Sequence, residues 1–192
     1  HRDRFFWVVA LQTAIVNFYL GGFGPAQSLL RADQGTSLTI AGLHGTAMGV
    51  ASILAGWANP RIAHKYGRSK ASWIGLSIFI VGLTLFGVSP PVYITLPASL
   101  ITGFGVSVVI NTMLTKMSSH YGKAAEIAIP QANGIASAGF VTGTALIGTI
   151  AIAYPNLWRL GLLLALPVAL ILFLVEREKE EEEHVPDEEG PQ

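Results

Sequence analysis

Along the chain, apolar residues gather into six runs separated by short polar breaks. The runs cover roughly Phe5–Leu30, Leu38–Ala58, Ala71–Ser89, Val92–Leu114, Ile127–Tyr154 and Leu157–Val175. Each is long enough to cross a bilayer, for which a helix needs about 20 residues. None contains Asp, Glu or Lys. Arg159 stands at the start of the sixth, where its side chain reaches the interface. The breaks are brief: "RADQGTS" and "SPP" read as turns, and "TKMSSHYGKAAE" as a polar loop. A soluble bundle would need a polar outer face on its helices, and six such runs leave none. The first run is too long for the apolar core of a cleaved signal peptide and reads as a true span. The pattern predicts an all-α, polytopic membrane protein with six transmembrane helices over residues 1–175.

Charge adds an orientation. Only 12% of the 192 residues are charged, against about a quarter in a soluble domain. The formal net charge of zero hides a segregation. Nine of the twelve acids lie at or after Glu176; before it, ten Lys and Arg face three acids, Asp3, Asp33 and Glu126. One predicted side holds Arg2, Arg4, Arg61, Lys65, Arg68, Lys70, Lys116, Lys123, Arg177 and Lys179; the other holds Arg31 and Arg159. That asymmetry places both termini in the cytoplasm and the protein in a plasma or inner membrane. Trp7, Trp57 and Trp73 fall at predicted cytoplasmic ends, and Tyr93, Tyr154 and Trp158 at outer ends, as an aromatic belt would. Residues 176–192 read as an acidic, disordered cytoplasmic linker or tail, with helix only in its first turns.

Inside the spans, the uncharged polar and small residues are the candidates for chemistry. Gln12 and Tyr19 share one face of the first span, with Asn17 to one side. The fourth span carries Ser107, Asn111 and Thr115 at four-residue spacing; the fifth carries Gln131 and Asn133. Such groups face a cavity or bond to another helix, and spacing leaves both readings open. Gly45, Gly49, Ser52 and Gly56 form one small-residue stripe on the second span, and Gly139 and Gly143 another on the fifth. His44 reads as a neutral side chain bonded to a neighbouring helix, with proton relay the alternative. "GGFGP" at Gly21–Pro25 should loosen or kink the outer end of the first span.

Other classes find little support. There is no cysteine, so no disulfide, thiolate metal site or Cys nucleophile is available. Gly105-Val106-Ser107 is followed by Val108, so the Gly-x-Ser-Gly of an intramembrane serine protease is incomplete. No His and acid cluster has metal-ligand spacing, and no glycine loop with a Lys cradles phosphate. No cofactor or metal is expected. The basic residues are scattered beside the membrane, which speaks against nucleic acid. A channel would want charged or carbonyl-lined rings. A non-transporting six-span scaffold or subunit, working by pairing with another membrane protein, stays open.

The break after the second span carries a family signature. "NPRIAHKYGRSK" places Lys65, Gly67, Arg68 and Lys70 close to the pattern of glycine, then Asp-Arg, then Gly-Arg-Arg/Lys. With the span order, it resembles the amino-terminal half of a major facilitator superfamily transporter. Pro60 stands where the pattern has its first glycine, and His64 where it has its acid. "SLITGFG" in the fourth span keeps Gly103 and Gly105 of a second pattern, with Ser99 where an Arg is frequent. The resemblance implies a six-helix half bundle of 3+3 inverted repeats, half of a twelve-span secondary transporter working by alternating access. It implies that the first and fourth spans line the path of a small-molecule substrate, with Gln12, Asn17, Tyr19, Ser107, Asn111 and Gln131 as cavity candidates. It assigns His64, Lys65, Gly67, Arg68 and Lys70 to a cytoplasmic gate, with the acid-based latch differently built. It also implies that the second and fifth spans face a second unit: the missing carboxy-terminal half or another six-span subunit.

Overall fold

A computed structural model describes residues 2–88 and 91–183, with side chains up to residue 176. Every regular element among them is helical. They are α1 (Arg4–Gln34), α2 (Leu38–Tyr66), α3 (Arg68–Val88), α4 (Val92–Tyr121), α5 (Ala125–Ala153), α6 (Trp158–Leu163) and α7 (Ala165–Glu183). Two 3-10 turns, Gly122–Ala124 and Pro155–Leu157, join α4 to α5 and α5 to α6. Five stretches are long and apolar enough to cross a membrane; one, Val92–Ala153, takes in α4 and α5 together. The expected tail falls mostly outside the described residues, although the α7 backbone continues to Glu183.

Two breaks prove shorter than their composition suggests. The basic stretch after the second span is helix, not loop: α2 carries Pro60 inside it and runs to Tyr66. Gly67 alone separates α2 from α3. Its φ of 84° is a conformation glycine adopts freely, and its N–H donates to the Ala63 carbonyl. Likewise the polar loop after the fourth span shrinks to three residues, because α4 continues to Tyr121. Lys116 is therefore not an exposed loop charge. It is buried on α4, its Nζ donating to Ser72 Oγ at 3.2 Å and lying 5.5 Å from the centre of the Phe5 ring.

The sixth run, in contrast, is broken. A turn at Leu164 separates α6 from α7. Pro167 explains its place: its ring crowds the carbonyl four residues back, Leu163, and it has no N–H to give. The glycines of "GGFGP" do not break α1, which is continuous from Arg4 to Gln34 with Pro25 inside it.

Contacts along the helices fix their directions. Gly21, Gly22 and Phe18 of α1 meet Phe140, Gly143 and Ile147 of α5, and Ala14 meets Gly139, so α1 and α5 run parallel. His44, Ser52 and Asn59 of α2 bond to Thr95, Ser107 and Thr112 of α4, which makes that pair parallel too. α3 runs against α4, with Gly75 on Val108 and Gly82 on Thr102. α7 runs against α1, joined by Arg4 and Glu176. The helices α1 to α5 thus alternate in direction, and α7 runs against α5.

The most apolar stretch of α1 is 61% buried and that of α2 only 22%, so α1 is central and α2 peripheral. A ring cluster of Tyr19, Phe23, Phe79, Phe86 and Trp158 fills the middle and the end away from the basic residues. A smaller cluster of Phe6, Val9, Met113, Met117 and Ala132 closes the basic end. In lipid, such packing holds helices by dispersion rather than by expulsion of water. Two belt assignments change accordingly. Trp73 and Trp158 are buried, whereas Trp7, Trp57, Tyr93 and Tyr154 are exposed as a belt requires.

Candidate functional site

The basic end is organised by the start of α1. Asp3 caps the helix, its Oδ1 accepting from the Phe6 N–H at 2.9 Å. The same carboxylate accepts from the Tyr121 hydroxyl and pairs with His120 Nε2 at 3.0 Å, which fastens α1 to the end of α4. Phe5 stacks on His120 with ring centres 4.0 Å apart. Arg4 donates twice to Glu176 Oε2 on α7, at 2.9 and 2.7 Å, and Arg2 Nε donates to Gln131 Oε1 on α5 at 3.2 Å. Partial burial pushes the Asp3 carboxyl upward. The hydrogen bonds from Tyr121, the Phe6 amide and His120, with the His120 charge, outweigh it and hold the pKa down at about 2. Burial and the Asp3 charge push the Tyr121 phenol up.

Beside this clasp, the signature residues of the α2–α3 junction point outward. His64 and Lys65 lie in the last turn of α2, Gly67 is the junction, and Arg68 and Lys70 open α3; all five are exposed. Among the described residues His64, Lys65, Arg68 and Lys70 form no ion pair. Arg61 is committed to its own helix, 3.9 Å over the Trp57 ring and bonded to the Trp57 carbonyl.

The opposite end has its own ties. Asp33 Oδ2 accepts from Trp158 Nε1 at 2.8 Å and pairs with Arg159 at 3.3 Å, fixing α1 to α6. Gln34 Nε2 donates to Thr95 Oγ1 at 2.9 Å, and Thr95 Oγ1 lies 2.9 Å from His44 Nε2. His44 Nδ1 lies 3.2 Å from the Ile40 and Ala41 carbonyls, so the proton belongs on Nδ1 and Nε2 accepts from Thr95. One chain of hydrogen bonds thus joins α1, α4 and α2, and the buried histidine is bonded to a neighbouring helix.

The six cavity candidates do not converge. Gln12 and Tyr19 do share a face, but that face is core: both are buried, and Tyr19 packs edge-on to Phe79. Among the described residues the Gln12 Nε2 has no hydrogen-bond partner, and the Tyr19 hydroxyl lies near Thr102 without reaching hydrogen-bond geometry. Ser107 Oγ is 2.7 Å from Ser52 Oγ of α2, an interhelical bond. Gln131 is exposed at the basic end against Arg2, away from the middle of the bundle. Asn17, which donates to the Thr13 carbonyl at 2.8 Å, and Asn111 are half-buried and keep access to the surroundings.

The two small-residue stripes part company as well. A methyl group at Gly139 or Gly143 would strike the Ala14 or Phe18 carbonyl of α1, so the α5 stripe is covered within this bundle and does not face a second unit. On α2, Gly49 and Gly56 have nothing within 4 Å of an added Cβ, and Gly45 meets only Gln27 Nε2, at 3.2 Å. Among the described residues that stripe is open at Gly49 and Gly56, whereas Ser52, its fourth member, bonds to Ser107 of α4.

The family model described as Major Facilitator Superfamily matches residues 9–192. The chain belongs to that superfamily. No curated protein matches it. Members of the superfamily are transporters, not enzymes, and this member is a multi-pass helical membrane protein. The superfamily signature at Lys65–Lys70 was visible in sequence. The clasp at Asp3 and the Asp33–Trp158–Arg159 tie were not, because each joins residues more than a hundred positions apart. One signal was available for the second: Asp33 and Arg159 are opposite charges expected at the same end.

Proposed function

We propose that the chain is the amino-terminal, six-span half of a twelve-span secondary transporter that moves a small solute by alternating access. The open stripe of α2 carries this reading. Gly49 and Gly56 are small enough for another helix backbone to approach, and the described residues leave them uncovered, with only Gln27 beside Gly45. A 3+3 inverted repeat is supported by an exchange of partners: α1 packs on α5 as α4 packs on α2. Asn17 and Asn111 are then the residues of this half that meet solute, while Gln12 and Tyr19 support them from the core. With both termini cytoplasmic, Arg68 and Lys70 face the cytoplasmic gate.

Single cysteines test the face. In a background free of other cysteines, Asn17→Cys and Asn111→Cys should react with a membrane-impermeant maleimide, a transported solute should slow the reaction, and Gly49→Cys, packed against the second half, should react slowly. Reaction with lipid-soluble reagents alone would overturn the reading and favour a scaffold paired through α2. Arg68→Ala should slow transport at unchanged abundance; a loss of abundance alone would refute its gating role.

A further inference from the structure

α1 and α7 leave a shallow apolar groove between them, independent of the transport reading. It is lined by Leu11, Ile15, Val168, Ile171, Leu172 and Val175, holds about 240 Å³, and ends at Glu176. Its walls open outward: Leu11, Val168, Ile171 and Val175 are all exposed. At its Glu176 end that carboxylate pairs with Arg4, which is about half exposed.

Two properties narrow what fits. The first is length. Along α7 the lining runs from Val168 to Glu176, eight residues and about 12 Å of helix, which is most of one leaflet of a ~30 Å hydrocarbon core. The groove therefore fits within one leaflet, with its charged end towards the headgroups. The second is charge. Glu176 takes donors from Arg4 Nε and one terminal nitrogen, so a guanidinium with five N–H groups keeps donors to spare for a phosphate. The carboxylate beside it disfavours a purely anionic headgroup and accepts from an ammonium. A choline headgroup has no N–H to offer it.

We propose that this groove is a binding site for a phospholipid with a phosphoethanolamine headgroup. One acyl chain lies along α1 and α7, the phosphate rests on Arg4, and the ammonium on Glu176. The site faces the leaflet on the basic side of the protein.

The test is lipid retention by the full native protein. It is reconstituted in nanodiscs of phosphatidylethanolamine, phosphatidylglycerol and phosphatidylcholine in equal parts, extracted in mild detergent, and its bound lipids are counted by native mass spectrometry. Phosphatidylethanolamine should be enriched about tenfold over the other two, the ratio that about 1.4 kcal/mol supports. Glu176→Gln should lower that enrichment to near unity, and Arg4→Gln should lower retention of all three. Because either change breaks the ion pair, Ile171→Trp supplies an independent arm. It fills the groove from an exposed position and should lower phosphatidylethanolamine retention with the melting temperature unchanged. Equal retention of the three lipids by the wild type, preference for phosphatidylglycerol, or an enrichment that survives Glu176→Gln or Ile171→Trp would each overturn the proposal.

Discussion

α5 meets α1, and α2 meets α4, along parallel seams that mix the same two devices in different proportion. The first has one side-chain bond across it, Thr144 to the Gly21 carbonyl, and the second has three. The α1–α5 seam is backbone against backbone: Gly21, Gly139 and Gly143 lie so close to the facing chain that no side chain fits. The α2–α4 seam has one such approach, Gly103 on the Met48 Cα, and otherwise relies on side chains. His44–Thr95, Ser52–Ser107 and Asn59–Thr112 place one hydrogen bond about every two turns of α2. Close backbone packing gains dispersion along its whole length and fails abruptly when a methyl intrudes. Interhelical hydrogen bonds in a membrane contribute about 0.6 kcal/mol each and break one at a time. The α5 side is therefore the stiffer of the two. α2 is the helix that can shift, and it is also the one whose outer stripe is open.

The contrast can be broken most forcefully at Gly143. Gly143→Leu should drive α5 off α1 and cost about 3 kcal/mol, the upper range for overpacking, seen as a lowered midpoint of thermal unfolding in detergent. A midpoint within a degree of wild type would mean that the seam is looser than its geometry.

A smaller effect belongs to the polar seam. His44→Leu leaves the Thr95 hydroxyl without its histidine acceptor and should cost about 1 kcal/mol. A double-mutant cycle with Thr95→Val isolates the pair. A coupling near zero would remove this bond from the account of the seam.

Asp3→Asn sharpens the picture at the basic end, because Asn still caps a helix while losing the charge. The expected loss is under about 1 kcal/mol for so exposed a cluster. It also carries a pH signature. The folded-state pKa is lowered to about 2 from 3.8, so the charge stabilises the fold above pH ~4 and ceases to do so as pH falls towards 2. Wild type and variant should therefore converge in unfolding midpoint across that window, and a difference unchanged by acid would place the effect elsewhere.

Least of all should happen at Gly49→Leu, where an added Cβ meets nothing among the described residues. The midpoint of this bundle should stay where it is. A marked loss would show that the stripe is covered in the native protein.

These seams also show how far the sequence could be read. Long apolar helices follow from runs of apolar residues, because a helix satisfies its own backbone in lipid. Helix ends were less legible. Pro60 and the basic residues after it look like a loop, yet α2 runs through them. Gln12 and Tyr19 were placed on one face correctly, but periodicity does not say whether a face meets a cavity or the core. A Gly-x-x-x-Gly spacing has the same limit: Gly139 and Gly143 are covered by the α1 backbone, whereas Gly45 meets only Gln27 and Gly49 nothing among the described residues, and only the partner's position distinguishes them.

The length of α1 has a mechanical consequence. Its 31 residues make a rod of about 46 Å, slightly more than the ~40–45 Å from headgroups to headgroups. It is riveted near both tips, to α4 and α7 through Asp3 and Arg4, and to α6 and α4 through Asp33 and Gln34. A rod pinned at both surfaces works as a gauge of bilayer thickness. In a thinner membrane α1 has to lean, and leaning loads one set of rivets before the other.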